Sequence, residues 1–466
     1  MAIADTVWNA TCLQIEGLAL ASTIAGMGAI GLFDRLLAQG DLPEPAALGE
    51  AAPGYGGIGL RLLHQLGWIT LVPGNPAMVG LTEAGRVGGA EWRRYASPLT
   101  TGLEDAAGDR VVAHCSGFTV MPLLLRLRDT HKPADRGAGA GIVLAEVEAA
   151  LLLRHGLAAV TDGRVSLAEA GAIAVHLSAQ ARHVLCYAPL LDRVPALLAG
   201  GEAVTPDTQA DSETHLDRDA DIQFSGDVYT TTCAREITDM ARRIAAERPF
   251  RYLIDVGAGD GTMLVAVAQA LAPLIPNLVA VGVDPSPVAR GRLEQRLAAT
   301  GLPYRVIDGD VGAPAVLRWT LAANGVDAGL ALFMMKSVLH DRALRVSADA
   351  VAGAGRSANR FVTTDGAIAS AALVEADLIA CLVRWRAMVG RSGMLVVEAH
   401  TSPAPVALPG RGILACLDAT HGYSHQYLLE AEVHRACCAE AGFAVEWDEM
   451  PPSLGYVHMS CAWLHT

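Results

Sequence analysis

The chain reads as an α/β protein with a parallel, doubly wound sheet in its C-terminal half and an α-rich, winged-helix-like N-terminal region. Three observations predict this. From residue 250 onward, apolar strand-like runs alternate with helical stretches, the βαβ pattern that calls for a parallel sheet. The first of those runs, RYLIDVG, opens into a glycine-spaced turn, GAGDG, ahead of a helical stretch. In the first half, two segments repeat one pattern of helix, short hairpin and helix.

Composition bounds the rest. A chain of 466 residues exceeds one ordinary core, and 52% apolar against 18% charged residues excludes a disordered chain. A net charge of -14 without a dense Lys/Arg cluster argues against nucleic-acid binding. For the same reason, an acidic carrier protein would have to find a local basic patch. The nine cysteines are odd in number and form no CxxC pair, so neither a disulfide framework nor a zinc–thiolate site is indicated, and a reducing cytoplasm fits. The uncharged run GLALASTIAGMGAIGLF (17–33) is rich in small residues and flanked by Glu16 and Asp34, with no basic stretch before it. It is expected to be a buried helix, not a membrane span or signal peptide.

Along the first half, LLHQLGWITLVPGNPAMVGLTEAG (62–85) and LLRHGLAAVTDGRVSLAEAG (152–171) each give an apolar helix, a glycine, two short strands and a helix start ending Glu-Ala-Gly. Such winged-helix-like units suggest DNA binding, but neither carries a basic recognition helix. A structural, lid or dimerisation role is expected for residues 1–200, and a homodimer is possible. The polar, acidic stretch GGEAVTPDTQADSETHLDRDAD (200–221) reads as part of a linker over 201–223. The second domain is placed at 224–466, with further strands expected at LVAVGVD, PYRVIDGD, DAGLALFMM, RFVTTDG and GMLVVEAH.

In such sheets ligands bind beyond the carboxyl ends of the strands. Gly257, Gly259 and Gly261 permit a tight turn and close backbone approach to a ligand. Asp255 at the strand end and Asp260 in the turn would repel a dinucleotide pyrophosphate and suit a cationic or zwitterionic ligand. Asp284 ends the next strand, where ribose hydroxyls are usually met, and Asp308 and Asp310 end the third. This combination resembles the cofactor site of class I S-adenosylmethionine-dependent methyltransferases. The resemblance implies a Rossmann-like core in which the three glycines cradle the amino-acid part of the cofactor. It also implies that Asp284 binds the ribose and that Asp310, or else Asp308, reaches the adenine.

The fourth strand runs on into SVLHDR, which places His340-Asp341 at its carboxyl end. Small-molecule O-methyltransferases have a similar strand-end pair in which the histidine is the base, and their dimerisation domain resembles residues 10–95. Near the C-terminus, LDATHGYSHQYLLE places Asp418, His421, His425 and Gln426 within nine positions. Imidazole, carboxylate and amide oxygen make a hard-to-borderline set suited to Fe or Mn. Such an ion could stabilise an enolate whose carbon takes the methyl group. The alternatives for the segment are a metal-free substrate-binding or general-base role and a plain helix start, with Asp418 or Thr420 as cap and Tyr423 and Tyr427 in the core. If it were helical throughout, His421 and His425 would share a face.

DATHGYSHQY, together with FSGDVYTTT (224–232), SVLHDR and LVVEAHT, resembles the metal-dependent C-methyltransferase domains of polyketide-synthase loading modules, of the apratoxin type. That resemblance implies His421, Gln426 and His340 as metal ligands, with His340, His421 and Asp418 catalytic. It leaves His425 standing where an acid is expected. His400 is a weaker candidate, and His434, His458 and His465 read as surface or strand histidines. The expected reaction is methylation of an activated carbon in a malonyl-type thioester, carrier-bound or as a coenzyme A ester, or in a 2-oxo acid. The alternatives are metal-free O-methylation with His340 as base and a non-catalytic regulator on the same fold.

Overall fold

Strands Tyr252–Val256 (β1), Val279–Val283 (β2), Tyr304–Ile307 (β3), Ala331–Lys336 (β4), Met394–His400 (β5), Ala444–Glu449 (β6) and His458–His465 (β7) form one seven-stranded sheet. In the computed structural model, which describes residues 3–74, 76–95, 110–130, 144–161, 163–201, 215–401, 414–449 and 458–466, its order is β6-β7-β5-β4-β1-β2-β3. β1 to β5 pair in parallel, and β7 runs antiparallel to both β5 and β6. This is a Rossmann-like α/β core.

Alternation along the strands builds the two layers, because successive side chains point to opposite faces. Ile254 and Val256 of β1, Phe333 and Met335 of β4 and Val396 of β5 enter one core. The helices Pro314–Ala323 (α5), Ala371–Arg386 (α6) and Ala431–Glu440 (α8) cover it with Leu317, Leu321, Leu378, Trp385 and Cys437. Leu253, Leu332, Met334, Leu395 and Val397 point the other way. They meet Ala234–Glu247 (α2), Thr262–Leu271 (α3) and Pro287–Ala298 (α4) through Ile237, Leu264 and Leu293. One expected strand is corrected: RFVTTDG does not join this sheet. Phe361–Val362 pairs with Ile368–Ala369 in a separate hairpin, because the backbone reverses at Gly366 with φ 82°.

The chain divides into two units, residues 1–202 with 405–420, and residues 203–404 with 421–466. The boundary differs from the expected 201–223 linker. Residues 202–214 of that linker lie outside the described residues, while Arg218–Val228 (α1) is already helix and belongs to the second unit. Thr420 ends the C-terminal contribution to the first unit, so the helix Leu414–Tyr423 (α7) crosses from one unit to the other.

In the first unit the apolar run lies in the helix Ile3–Ala29, whose Ile15, Leu18, Leu20, Ile24 and Met27 are buried. That helix is long and apolar enough to cross a membrane by length and composition, yet 78% of its window is buried within the protein. It meets the helix Arg110–Thr130 at Gly117, where a Cβ would lie 1.8 Å from the Gln14 carbonyl oxygen. Both repeated segments fold alike. Hairpins Ile69–Val72/Met78–Leu81 and Ala158–Thr161/Arg164–Leu167 each follow a helix and lead into another. The glycine of each Glu-Ala-Gly is the fixed point, since a Cβ on Gly85 or Gly171 would stand 1.8 or 1.9 Å from the carbonyl oxygen of Trp68 or Leu157.

That close approach sets an expectation for Gly171→Ala. Its methyl must displace backbone, at a cost of about 1–3 kcal/mol, and the thermal midpoint of the variant should fall. Gly291→Ala, on the exposed face of α4 with nothing within 4 Å of a Cβ, should instead gain up to about 1 kcal/mol from helix propensity.

Candidate active site

The turn after β1 is held by its neighbour β2. Gly257 and Ala258 donate their N–H groups to Val283 O at 2.8 and 3.0 Å. Gly257, Gly259 and Gly261 have φ of 75°, 56° and 80°, a left-handed conformation natural only to glycine. A Cβ on Gly257 would strike Val338 at 2.4 Å, which puts the segment leading to His340 directly against the turn. At Gly259 a Cβ would meet nothing within 4 Å, so this face of the turn is open.

The acidic residues divide into distinct roles. The Asp284 carboxylate accepts from Gly259 N and Ser286 N, both at 2.9 Å, and so shapes the turn itself. Burial raises its pKa although these two bonds oppose the shift. Asp255 is buried, and neither of its oxygens has a hydrogen-bond partner among the described residues. Burial pushes its pKa up to about 8 against the pull of Lys336. Asp260, expected to attract a cationic ligand, is instead engaged by Arg296 at 2.5 Å and by the Thr262 hydroxyl and N–H. Asp310 accepts from Gly312 N at 2.8 Å and lies half-exposed 3.6 Å from Arg345, and the exposed Asp308 faces Arg290 at 3.3 Å. An open glycine cradle, an orphaned buried carboxylate and a buried Asp284 fit the methionine and ribose parts of S-adenosylmethionine.

Beyond β4, His340 is set by a carboxylate that the sequence reading quoted without assigning. Its Nδ1 is 2.6 Å from Glu398 Oε1, and Leu339 N and Ala399 N donate to the same carboxylate at 3.0 Å each. Burial disfavours the imidazolium, but the charge and hydrogen bond of Glu398 outweigh it and leave the His340 pKa raised. Burial likewise opposes ionisation of Glu398, and His340 overcomes it, holding the carboxyl well below its usual range. Nε2 of His340 makes no hydrogen bond among the described residues. The loop is clamped by Arg342, which donates to Asp377 at 2.9 Å, Leu339 O at 2.8 Å and Val374 O at 2.7 Å. One signal could have found Glu398: it is the lone carboxylate in the apolar strand MLVVEAH.

The LDATHGYSHQYLLE segment is only partly helical. α7 ends at Tyr423, and His425 has φ 62°, so His421 and His425 do not share a helix face. Gln426 N donates to His421 O at 2.8 Å, and Tyr427 N donates to His340 O at 2.7 Å. These bonds fold the segment back on the His340 loop. The His340 and His421 rings meet edge-on with centroids 5.0 Å apart, and His421, His425 and Gln426 are all buried. Asp418, expected to be catalytic, belongs to the first unit, where Arg61 and Gln65 bind its Oδ2 at 3.1 and 3.0 Å. That geometry makes it one half of a buried ion pair.

His400 is fully buried, with Nε2 2.7 Å from Ser460 Oγ. His434, expected at the surface or in a strand, is instead buried on α8 against His400 and Trp447. The side chain of His458 lies outside the described residues, and His465 is on β7. Among the described residues no three His, Cys, Asp or Glu side chains converge on one point. The eight described cysteines are all buried and unpaired in disulfides.

The methyltransferase family described as AprA MT2-like domain matches residues 213–461, more than half of the chain. A comparison with curated proteins found no match. Among solved structures, an O-methyltransferase family protein from Burkholderia thailandensis is 14% identical, covers 75% of this chain and 95% of its own, and superposes with a TM-score of 0.46. The CurJ carbon methyltransferase is 12% identical over 97% of this chain and 91% of its own, with a TM-score of 0.47. The DszA carbon methyltransferase is 14% identical over 75% and 88%, with a TM-score of 0.37.

The His340–Glu398 pair yields a titration that can be read directly. In Glu398→Gln the raising influence is removed while burial remains, so the His340 imidazole pKa should drop below the ordinary 6.5 in an NMR titration. An unchanged value would show that the two are not coupled. A raised histidine pKa stabilises the fold below about 6.5 and loses that contribution as pH climbs through the raised value. The variant should therefore lose stability most between neutral pH and about pH 5.

Proposed function

The chain belongs to the AprA MT2-like family of class I S-adenosylmethionine-dependent methyltransferases, and we propose that it methylates an activated carbon with His340 as the proton acceptor. The observation that carries this reading is the buried His340–Glu398 pair on a loop packed against the glycine turn through Val338. A carboxylate on Nδ1 fixes the imidazole with Nε2 as its free base and stabilises the imidazolium that forms. His340 is thus a stronger base than an isolated histidine.

The step balances simply. A C–H flanked by carbonyl groups gives its proton to His340 Nε2, and the electron pair left on carbon attacks the sulfonium methyl group. The new C–C bond forms as the S–CH3 bond breaks, and S-adenosylhomocysteine leaves as a neutral thioether. Holding donor and acceptor in line supplies much of the rate, and the buried surroundings of His340 keep water from competing for the methyl group. A malonyl-type thioester, on a carrier protein or coenzyme A, or a 2-oxo acid presents such a carbon, and a role in polyketide or related natural-product biosynthesis follows.

A second reading adds a metal, favoured by the edge-on approach of His421 to His340. The donor chemistry fits: a histidine with one ring nitrogen tied to a carboxylate is the usual form of a metal-bound imidazole, and a neighbouring imidazole and amide complete a borderline set. His340, His421 and Gln426 would hold an Fe or Mn ion, which would supply Lewis-acid stabilisation of an enolate.

His340→Ala should lower kcat by about 10²–10⁴-fold with S-adenosylhomocysteine affinity unchanged by calorimetry. Loss of cofactor binding in that variant would mean a structural role. Labelled methyl groups recovered on carbon, by mass spectrometry of the acyl product, support the carbon reading; label on a hydroxyl oxygen overturns it. Activity lost in strong chelator and restored by Fe or Mn supports the ion, whereas full activity in metal-free protein leaves His340 acting alone.

A further inference from the structure

Two residues beyond Glu398, and so on the same face of the sheet, β5 carries a second polar side chain, His400. Met394 and Val396, which share that face, belong to the apolar core, and the His400 ring is fully buried. The sequence marks it as a ligand candidate, but among the described residues no three metal-binding side chains converge there. A polar group kept in such a place is bonded, and its partners show what it holds.

The two ring nitrogens join separate parts of the fold. Nε2 is 2.7 Å from Ser460 Oγ on β7, and Nδ1 is 3.3 Å from Leu429 O. A carbonyl oxygen only accepts, so Nδ1 carries the proton and Nε2 accepts from the Ser460 hydroxyl. Ser460 lies directly across from Glu398 in the β5/β7 ladder. His434 and Trp447 close on the ring, with centroids 5.4 and 5.7 Å from it, and leave it little room to turn. Leu429 lies at the far end of the segment that begins at His421. Its carbonyl also accepts from Thr401 N at 3.2 Å, and Asn359 Nδ2 donates to the neighbouring Leu428 O at 2.9 Å. Two residues back, Tyr427 N donates to His340 O at 2.7 Å. β5 thus reaches His340 twice, at the ring through Glu398 and at the main chain through His400, Leu429 and Tyr427.

We propose that His400 is a positioning residue for methyl transfer: its Nδ1–H holds Leu429 O, which keeps Tyr427 N on the His340 carbonyl and so fixes the base from its main chain. This rests on the reading of His340 as proton acceptor. The working bond is the one to Leu429, and the Ser460 hydroxyl favours the tautomer that makes it. Proton transfer and in-line attack are sensitive to displacements of about 1 Å, even when their cause lies away from the reacting atoms. Thr401 N holds the same carbonyl, so losing the ring loosens the segment without freeing it. A fully satisfied buried network of this kind specifies one arrangement of the elements it joins.

Two amide substitutions divide the roles of the ring, because an asparagine amide reaches the place of Nδ1 and a glutamine amide that of Nε2. His400→Asn should keep the bond to Leu429 O, and His400→Gln only the one to Ser460. The expected kcat is about ten-fold lower in His400→Gln and within about three-fold of wild type in His400→Asn, with KM for S-adenosylmethionine unchanged in both. Hydrogen exchange read by mass spectrometry is independent of turnover: the Tyr427 amide should exchange faster in His400→Gln than in His400→Asn or wild type. Ser460→Ala, which removes only the other bond, should keep kcat and Tyr427 exchange near wild type, and thermal midpoints confirm that each variant is folded. Equal loss of kcat in the two amide variants, unchanged Tyr427 exchange in His400→Gln, or a loss in Ser460→Ala as large as in His400→Gln overturns the proposal. Full activity in His340→Ala would instead overturn the reading of the base, and would leave the Tyr427 exchange pattern standing.

Discussion

Everything around the candidate active centre depends on one desolvated carboxylate. Glu398 sits in the middle of the sheet, on a strand buried along its whole length, where an ionised group is expensive unless it is fully bonded. It is fully bonded: His340 Nδ1, Leu339 N and Ala399 N all converge on it. Two of the three donors belong to the loop after β4, so the same bonds that make the charge tolerable also fix the imidazole. Arg342 and Asp377 repeat the arrangement one turn further along, with the guanidinium tied to two carbonyl oxygens besides its carboxylate. Removing one partner of such a pair leaves a buried charge unpaired, at about 3–5 kcal/mol. The loop therefore has little freedom to present His340 any other way.

Legibility in the sequence followed the range of each interaction. The glycine turn, Asp255 and Asp284 could be read because local rules govern them: three left-handed backbone positions, a strand of period two and an acid at the end of the next strand. The paired Glu-Ala-Gly helix starts were legible for the same reason, and each glycine is where a helix touches a neighbouring carbonyl. Glu398 was quoted and passed over because its partner is 58 residues away. The pairing of Asp418 with Arg61, 357 residues earlier, is invisible to any local pattern. His425 could not be paired correctly with His421, since a helix-like spacing gives no sign that the backbone will turn left-handed at φ 62°. Local periodicity also made a sheet strand of RFVTTDG, where the turn at Gly366 folds it back into a hairpin.

The division into compact units also differs from the one that composition suggests. Composition changes sharply near residue 224, and the polar stretch before it looks like a boundary. Packing draws the line elsewhere, because α7 lends its first part to the N-terminal unit. There Cys416 N donates to the buried Glu16 at 2.9 Å and Asp418 meets Arg61. Glu16, pushed up to about 8 by burial, and the Arg61–Asp418 pair are polar contacts that only tertiary structure creates. A run of residues that looked like one motif is thus two: a structural half ending at Thr420 and a half beginning at His421 that folds back on His340.

Two carboxylates of the sheet show how one fold gives like groups opposite environments. Asp255 and Glu398 are both buried on adjoining parts of the same sheet, so desolvation penalises both alike. What distinguishes them is donors. Glu398 has three and is held ionised, available to stabilise a proton arriving on His340. Asp255 has none among the described residues, and burial pushes its pKa up to about 8. Environments that push two like groups in opposite directions assign them different work. The carboxylate with donors lies under His340, and the one without lies beside the glycine turn. The difference in donors, not in burial, is what sends the two carboxyl groups in opposite directions.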